Sequence, residues 1–160
     1  MGSDAETKFD VQRAVRWFAI ENNNQAWELI ESSPDYLHAG ELLSRAYASH
    51  RHWFEVGGPL EKQRAEHLVA TAVSFLGIVS LSVHHADACM KLSDANGDLQ
   101  TAFDRAAALE CLARSHACAG LADAANRRET ARLAGELIED AEERAAFARL
   151  LNSGPWFGLD

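Results

Sequence analysis

The sequence predicts an all-α protein of about seven to eight helices that pair as antiparallel hairpins. Three observations lead there. Apolar residues recur at three- and four-residue intervals along most of the 160 positions, the period of a helix with one buried face. Clusters of Asn, Gly and Pro cut this pattern at short intervals, as caps and turns do. No segment carries the alternation of a strand or the turn pair of a β-hairpin.

The elements follow in order. Residues 8–20 form the first helix, with Val11, Ala14, Val15, Phe18 and Ala19 on its apolar face. Asn22–Asn24 interrupts it, and Asn24 caps a short helix holding Trp27 and Ile30. Ser33 caps and Pro34 opens a third helix that runs to about Val56, with Leu43, Ala46, Tyr47, His50, Trp53 and Phe54 on one side. Gly57-Gly58-Pro59 ends it and starts the fourth, which buries Ala65, Leu68, Val69, Ala72, Val73 and Leu76. After Gly77, a fifth helix places Val79, Val83, Ala86 and Met90 on its inner face. Asp94–Asp98 reads as a loop. The sixth helix turns Ala102, Ala106, Leu109, Leu112, Ala113 and His116 inward and ends at Gly120. Leu121, Ala124, Ala131 and Ile138 belong to a seventh. Asp140 with Glu143 caps a last helix whose Phe147, Leu150 and Leu151 face in. Gly154-Pro155 stops it and leaves an apolar tail of Trp156, Phe157 and Leu159.

All 160 residues are expected to form one domain. Within it lie the N-terminal helices (8–58), two repeats (60–138), and a capping helix with the tail (140–160). The net charge of −9 and the scattered Lys8, Lys62 and Lys91 supply no basic stripe, so neither nucleic acid nor membrane is an expected partner. The longest uncharged run, Leu68 to Val83, is sixteen residues and contains Gly77. A spanning helix needs about 20 mostly apolar residues. Met1–Asp10 is polar and acidic, unlike a signal peptide, and Glu6 stands where myristoylation needs Ser or Thr. Cys89, Cys111 and Cys118 are an odd set without CxxC spacing, which fits reduced thiols in the cytoplasm.

Two segments align on Gly77 and Gly120. Val69, Ala70 and Val73 precede the first glycine, and Ser82 and Cys89, seven apart, follow it. Leu112, Ala113 and His116 precede the second, and Ala124 and Ala131, again seven apart, follow it. Small residues at these points let the helices of a hairpin approach closely. This resembles the tetratricopeptide (TPR) pattern, and the resemblance implies a TPR-like right-handed array. The glycines stand 43 apart, longer than that family's period, and neither unit ends on a proline. The chain as a whole is also similar to a family of uncharacterised bacterial helical proteins. That likeness rests on Asn22-Asn23-x-x-x-Trp27-x-Leu29, Ala48-Ser49-His50-Arg51-His52-Trp53, Val56-Gly57-x-Pro59 and Arg64-Ala65.

The densest polar and aromatic cluster is His50, Arg51, His52 and Trp53, with Asn22–Asn24 and Trp27 upstream; a pocket there would use Asn23, Trp27, His50 and Trp53, with Arg64 as an anion contact. His50 there would be an acid or base in an aromatic pocket, or a core histidine bonded to a buried carbonyl. His85 and Cys89, four apart, share a helix face, but a closed zinc site needs about four ligands. Both His84 and His85 fall off the apolar stripe and are expected in solvent, so no metal is assigned. Cys111, His116 and Cys118 sit at offsets of five and two, which do not bring a thiol to an imidazole. Asp94-x-Asn96-x-Asp98 opens like a calcium loop but carries Leu99 and Arg105 where that loop needs Gly and Glu. Glu136, Glu139, Asp140, Glu142 and Glu143 read as a solvated helix start.

With no catalytic set and no cofactor motif, the sequence is expected to encode a cytoplasmic scaffold binding a protein or peptide, without enzymatic activity. A homodimer through the Trp156-Phe157 tail is a further expectation. The second function class is a small-molecule-binding protein or enzyme using Asn23, Trp27, His50, Trp53 and Arg64.

Overall fold

Several helix starts occur where the chain offers a group for the orphan N–H donors of the first turn. A computed structural model describes residues 10–32 and 38–159. Its helices are α1 (Val11–Glu31), α2 (Ala39–Val56), α3 (Pro59–Phe75), α4 (Val79–Asn96), α5 (Ala102–Cys118), α6 (Ala124–Glu136) and α7 (Ala141–Asn152). Among the described residues there is no strand. Asp10 accepts from Arg13 N at 3.1 Å and Asp140 from Glu143 N at 2.8 Å, capping α1 and α7. Pro59 opens α3, and the Gly58 N–H donates to Glu61 Oε2 at 2.9 Å. At α5 the exchange is reciprocal. Asp104 N donates to Thr101 Oγ1 at 3.1 Å, and Thr101 N to Asp104 Oδ2 at 3.0 Å.

The expected break at Asn22–Asn24 does not form, and α1 runs through it. Asn22 turns its amide back to Phe18 O at 2.8 Å and accepts from Arg45 at 3.3 Å. Asn costs a helix at most ~0.7 kcal/mol per residue relative to Ala. Burying Ala26 and Ile30 beyond the break recovers more than that. The expected start at Ser33-Pro34 lies outside the described residues.

The inner face of α4 also differs from expectation. Val79 is exposed, Val83 and Met90 are half-buried, and the buried set is Ser82, His85, Ala86, Cys89, Ser93 and Asn96. Periodicity of apolar residues missed this face because its polar groups have partners inside. Ser82 Oγ meets Ser74 Oγ at 2.6 Å, Asn96 donates to Gln63 Oε1 at 2.7 Å, and Ser93 donates to Gln100 Oε1 at 2.7 Å. The helix consequently extends through Asn96 and passes into a short 3-10 turn at Gly97–Leu99, where a loop was expected. Leu121 is exposed, whereas Ala124, Ala131 and Ile138 are buried.

The helices pair as α1/α2, α3/α4 and α5/α6, and the odd-numbered helices also touch in series, α1 on α3, α3 on α5 and α5 on α7. The core accordingly comes in successive clusters. Ile30, Leu42, Leu68 and Val73 fill the first, Ala86, Cys89, Cys111 and Leu112 the middle, and Ala131, Ile138, Phe147 and Trp156 the last. Each fully buried Leu, Val or Phe contributes ~1.5–3 kcal/mol.

The two aligned glycines occupy the same turn. Gly77 (φ 68°) and Gly120 (φ 67°) are both left-handed. Gly77 N donates to Ser74 O and Ile78 N to Val73 O, each at 2.9 Å. Gly120 N donates to Ala117 O at 3.0 Å and Leu121 N to His116 O at 2.9 Å. Each pair is a Schellman closure, which needs the φ that only glycine adopts without strain. Gly120→Ala is expected to cost about 1 kcal/mol. That corresponds to a fall in melting temperature of about 2–4 °C for a domain of this size, measurable by circular dichroism.

The tail is held by its own chain. Arg114 of α5 donates to Ser153 O at 2.9 Å, Pro155 O at 3.0 Å and Leu150 O at 3.0 Å, and its guanidinium lies 4.2 Å from the Trp156 ring centroid. Trp156 Nε1 donates to Leu151 O at 2.9 Å.

Candidate functional site

The row of odd-numbered helices encloses a cavity of about 880 Å³. Asn23, Trp27 and Ile30 of α1 form one wall, Arg64 and His67 of α3 the floor, Phe103 and Asp104 of α5 the far wall, and Glu143 and Arg149 of α7 the end. The α5 cap fixes the floor against the far wall. Asp104, already bonded to Thr101, takes Arg64 Nε on Oδ1 at 2.7 Å and Arg64 NH2 on Oδ2 at 2.9 Å. Burial alone would raise the Asp104 carboxyl, but the bonds from Arg64 and Thr101 hold it below the usual carboxylate range. The same pair raises the Arg64 guanidinium further above its ordinary value. His67 lies with its ring centroid 5.4 Å from that of Trp27. Its Nε2 is buried without a hydrogen-bond partner, and burial pushes its pKa down to about 4, so the imidazole is neutral near pH 7. Among the described residues Arg149 is exposed and takes no side-chain partner, leaving a free guanidinium at the end of the cavity.

Of the five residues selected from sequence, three line this cavity: Asn23, Trp27 and Arg64. His50 and Trp53 do not. Trp53 carries the Arg16 guanidinium 5.5 Å from its ring centroid. His50 belongs to a second cluster, around Glu66 of α3, which does not line the cavity. One residue of helix turns the side chain by about 100°, so Glu66 and His67, adjacent in sequence, serve different sites.

In that cluster His50 Nε2 of α2 lies 2.9 Å from Glu66 Oε1 of α3, and His85 Nδ1 of α4 lies 2.6 Å from Glu66 Oε2. Tyr47 Oη of α2 lies 3.1 Å from His85 Nε2. An ionised carboxylate only accepts, so both ring nitrogens facing Glu66 carry protons. That leaves His85 Nε2 to accept from the Tyr47 hydroxyl when His85 is neutral. Burial works to raise the Glu66 carboxyl, yet the bonds from His50 and His85 bring its pKa down to about 2. Burial followed by the Glu66 charge raises the Tyr47 hydroxyl above its ordinary value. His50 stacks on Phe54 with centroids 4.3 Å apart. The side chains of Glu66 and His85 are each 8% exposed and that of His50 is 20% exposed.

The expectation that His84 and His85 are both solvated is corrected for His85, which is buried, while His84 is exposed. Cys89 does not turn to His85 and instead donates to Gln63 O at 3.5 Å. Glu66 was absent from the sequence-selected residues. The available signal was its place on α3, three positions before Val69 and seven before Val73, on the buried face of that helix. His116 Nδ1 lies 2.7 Å from Asp123 Oδ1. Among the described residues no helix is long and apolar enough to cross a membrane.

Comparison of the chain with known protein families, with curated proteins and with solved structures gives no match.

Proposed function

We propose that this protein is a binding module: a TPR-like stack of helical hairpins that seats a peptide segment of a partner protein between its odd-numbered helices. The observation that carries the proposal is the cavity itself. It is shaped by the helices of successive hairpins and combines an apolar wall with separate polar anchors. Trp27, Ile30 and Phe103 offer an apolar side chain a seat, while Asn23 and Arg149 are placed to hold polar groups of the segment. Arg64 is committed to Asp104, so Arg149 is the cation left to meet an acidic residue of the partner. Binding, without catalysis, accounts for the arrangement. Among the described residues no side chain bonds to the Nε2 of the neutral His67, so it activates no nucleophile, and Trp27 beside it is a packing surface.

The volume also falls in the ~300–1,000 Å³ range of small-molecule pockets. A small ligand would use the same walls, with neither His50 nor Trp53 among them.

The test is selection of binding peptides from a random displayed library, followed by affinities measured from tryptophan fluorescence. Selected peptides are expected to carry a large apolar residue and an acidic one. Trp27→Ala and Arg149→Glu are each expected to weaken them about tenfold or more. The Arg149 change sits on the exposed face of α7 and leaves the fold intact. Failure to select any peptide, or equal affinity for both variants and the parent, overturns the proposal.

A further inference from the structure

We propose that His50, Glu66 and His85 form a binding site for one divalent transition-metal ion, with zinc the best match to the donor set. The site stands apart from the cavity and does not depend on what the cavity binds.

Geometry supplies the first support. Three helices bring one ligand atom each, two imidazole nitrogens and a carboxylate oxygen, and all of these lie within 4.8 Å of one another. Ligands at ~2.0–2.2 Å from a tetrahedral zinc stand roughly 3.3 Å apart. The present His–Glu separations of 2.9 and 2.6 Å are those of hydrogen bonds. Ion entry therefore asks each ligand to withdraw by roughly half an ångström, within the reach of side-chain torsions.

The donor chemistry supplies the second. Two histidines with one glutamate form a known zinc set that leaves a fourth position for water. Imidazole disfavours magnesium and calcium, which take oxygen ligands. The carboxylate offsets one of the ion's two positive charges, so that with neutral imidazoles the ion takes the site from −1 to +1.

The surroundings supply the third. A metal-bound histidine usually gives its other N–H to an oriented acceptor, and Tyr47 Oη stands 3.1 Å from His85 Nε2 in that role. On metal entry the proton on His85 Nδ1 leaves and Nε2 becomes the protonated nitrogen, so the ring stays neutral. Tyr47 Oη then changes from donor to acceptor. His50 likewise keeps one proton, on Nδ1, while Nε2 binds the ion. No net proton is released from two neutral histidines. Phe54 holds the plane of His50, the most exposed of the three ligands and the side from which an ion enters.

Protein stripped with a chelator and dialysed is titrated with zinc by calorimetry and, in parallel, with cobalt(II), whose visible absorption reports tetrahedral nitrogen and oxygen ligation. The expected result is saturation at one ion per chain. Glu66→Gln and His85→Ala should each abolish it, Tyr47→Phe should keep the stoichiometry and weaken affinity about tenfold, and His84→Ala should change nothing. Should Glu66→Gln fail to fold, His50→Ala replaces it, because that side chain is the least enclosed of the three. No saturable uptake, or uptake that survives loss of His50 and His85, overturns the proposal.

Discussion

Arg114→Ala is expected to destabilise the protein by about 3–5 kcal/mol, the cost of breaking a buried ion pair from one side. Arg114 and Glu110 are one turn apart on α5, and the side chains of both are 0% exposed. Arg114 Nε donates to Glu110 Oε1 at 2.6 Å, and its remaining N–H groups satisfy the three carbonyls of the α7 end and tail. Its face is sandwiched between Phe75, at 4.9 Å, and Trp156, at 4.2 Å. Removing it takes the donor from Ser153 O and Pro155 O, while Leu150 O keeps Ser153 N and Oγ, and it leaves a carboxylate in the core. Burial already pushes the Glu110 carboxyl up, against the pull of Arg114, and Glu110 Oε2 has no partner. The Ala variant therefore buries an acid that protonates or unfolds. Replacing both residues with apolar ones of similar volume, Glu110→Leu with Arg114→Met, should recover most of the loss. Denaturant unfolding of the three proteins, with Trp156 fluorescence as the local probe, measures both effects. A cost below about 1 kcal/mol for Arg114→Ala would show that the tail is not fastened through this residue.

Asp104→Ala is expected to cost about 2 kcal/mol, roughly half from the lost helix cap and half from the lost Arg64 pair. The charged partner is about half exposed and rehydrates when freed, which is why the figure stays below that for Arg114. The pH dependence has a definite sign. Because the folded-state pKa of Asp104 is depressed, its contribution is fully present above the unfolded value near 3.8. It is lost as the pH falls through the folded value. The stability profile of Asp104→Asn should therefore be flatter on the acid side of about pH 4 than that of the parent. Thermal melts of the two proteins between pH 2 and 6, at about unit steps, give the comparison. The variant also releases Arg64 into the cavity, so peptides selected on the parent should bind it with altered charge preference.

Several particulars of the fold were legible because their causes are local. Gly57-Gly58-Pro59 divides α2 from α3, Asp140 begins α7, and Gly77 and Gly120 close two hairpins. Each depends on the backbone needs of a few neighbouring residues. The asparagine run misled for a related reason. Asn22–Asn24 does favour a break when judged locally, but Arg45 of α2 and the burial of Ile30 outweigh that preference. On the inner face of α4 the repeat marked Ser82 and Cys89, but His85, Ser93 and Asn96 were hidden because they are polar by type and become core residues only through partners on α3 and near the start of α5.

The candidate sites divide in the same way. Trp27, Asn23 and Arg64 drew attention as an aromatic and polar set, and they do share a wall and floor. His50 and Trp53 were grouped with them by residue type, and the helix faces separate them. Glu66 carried a legible signal, a carboxylate on an apolar stripe, yet its two histidines come from 16 positions before it and 19 after it.

Periodicity and capping act over one or two turns of chain, so the residues alone were enough for the all-α class, the turns at Gly77 and Gly120 and the helix boundaries at Gly57-Gly58-Pro59 and Asp140. Which polar residues are interior was settled by packing between helices. A buried carboxylate such as Glu66 or Glu110 is stabilised by groups brought to it from helices packed alongside or one turn away. The free energy of burying a charge is set by those partners and by the excluded water, neither of which has a period in the chain.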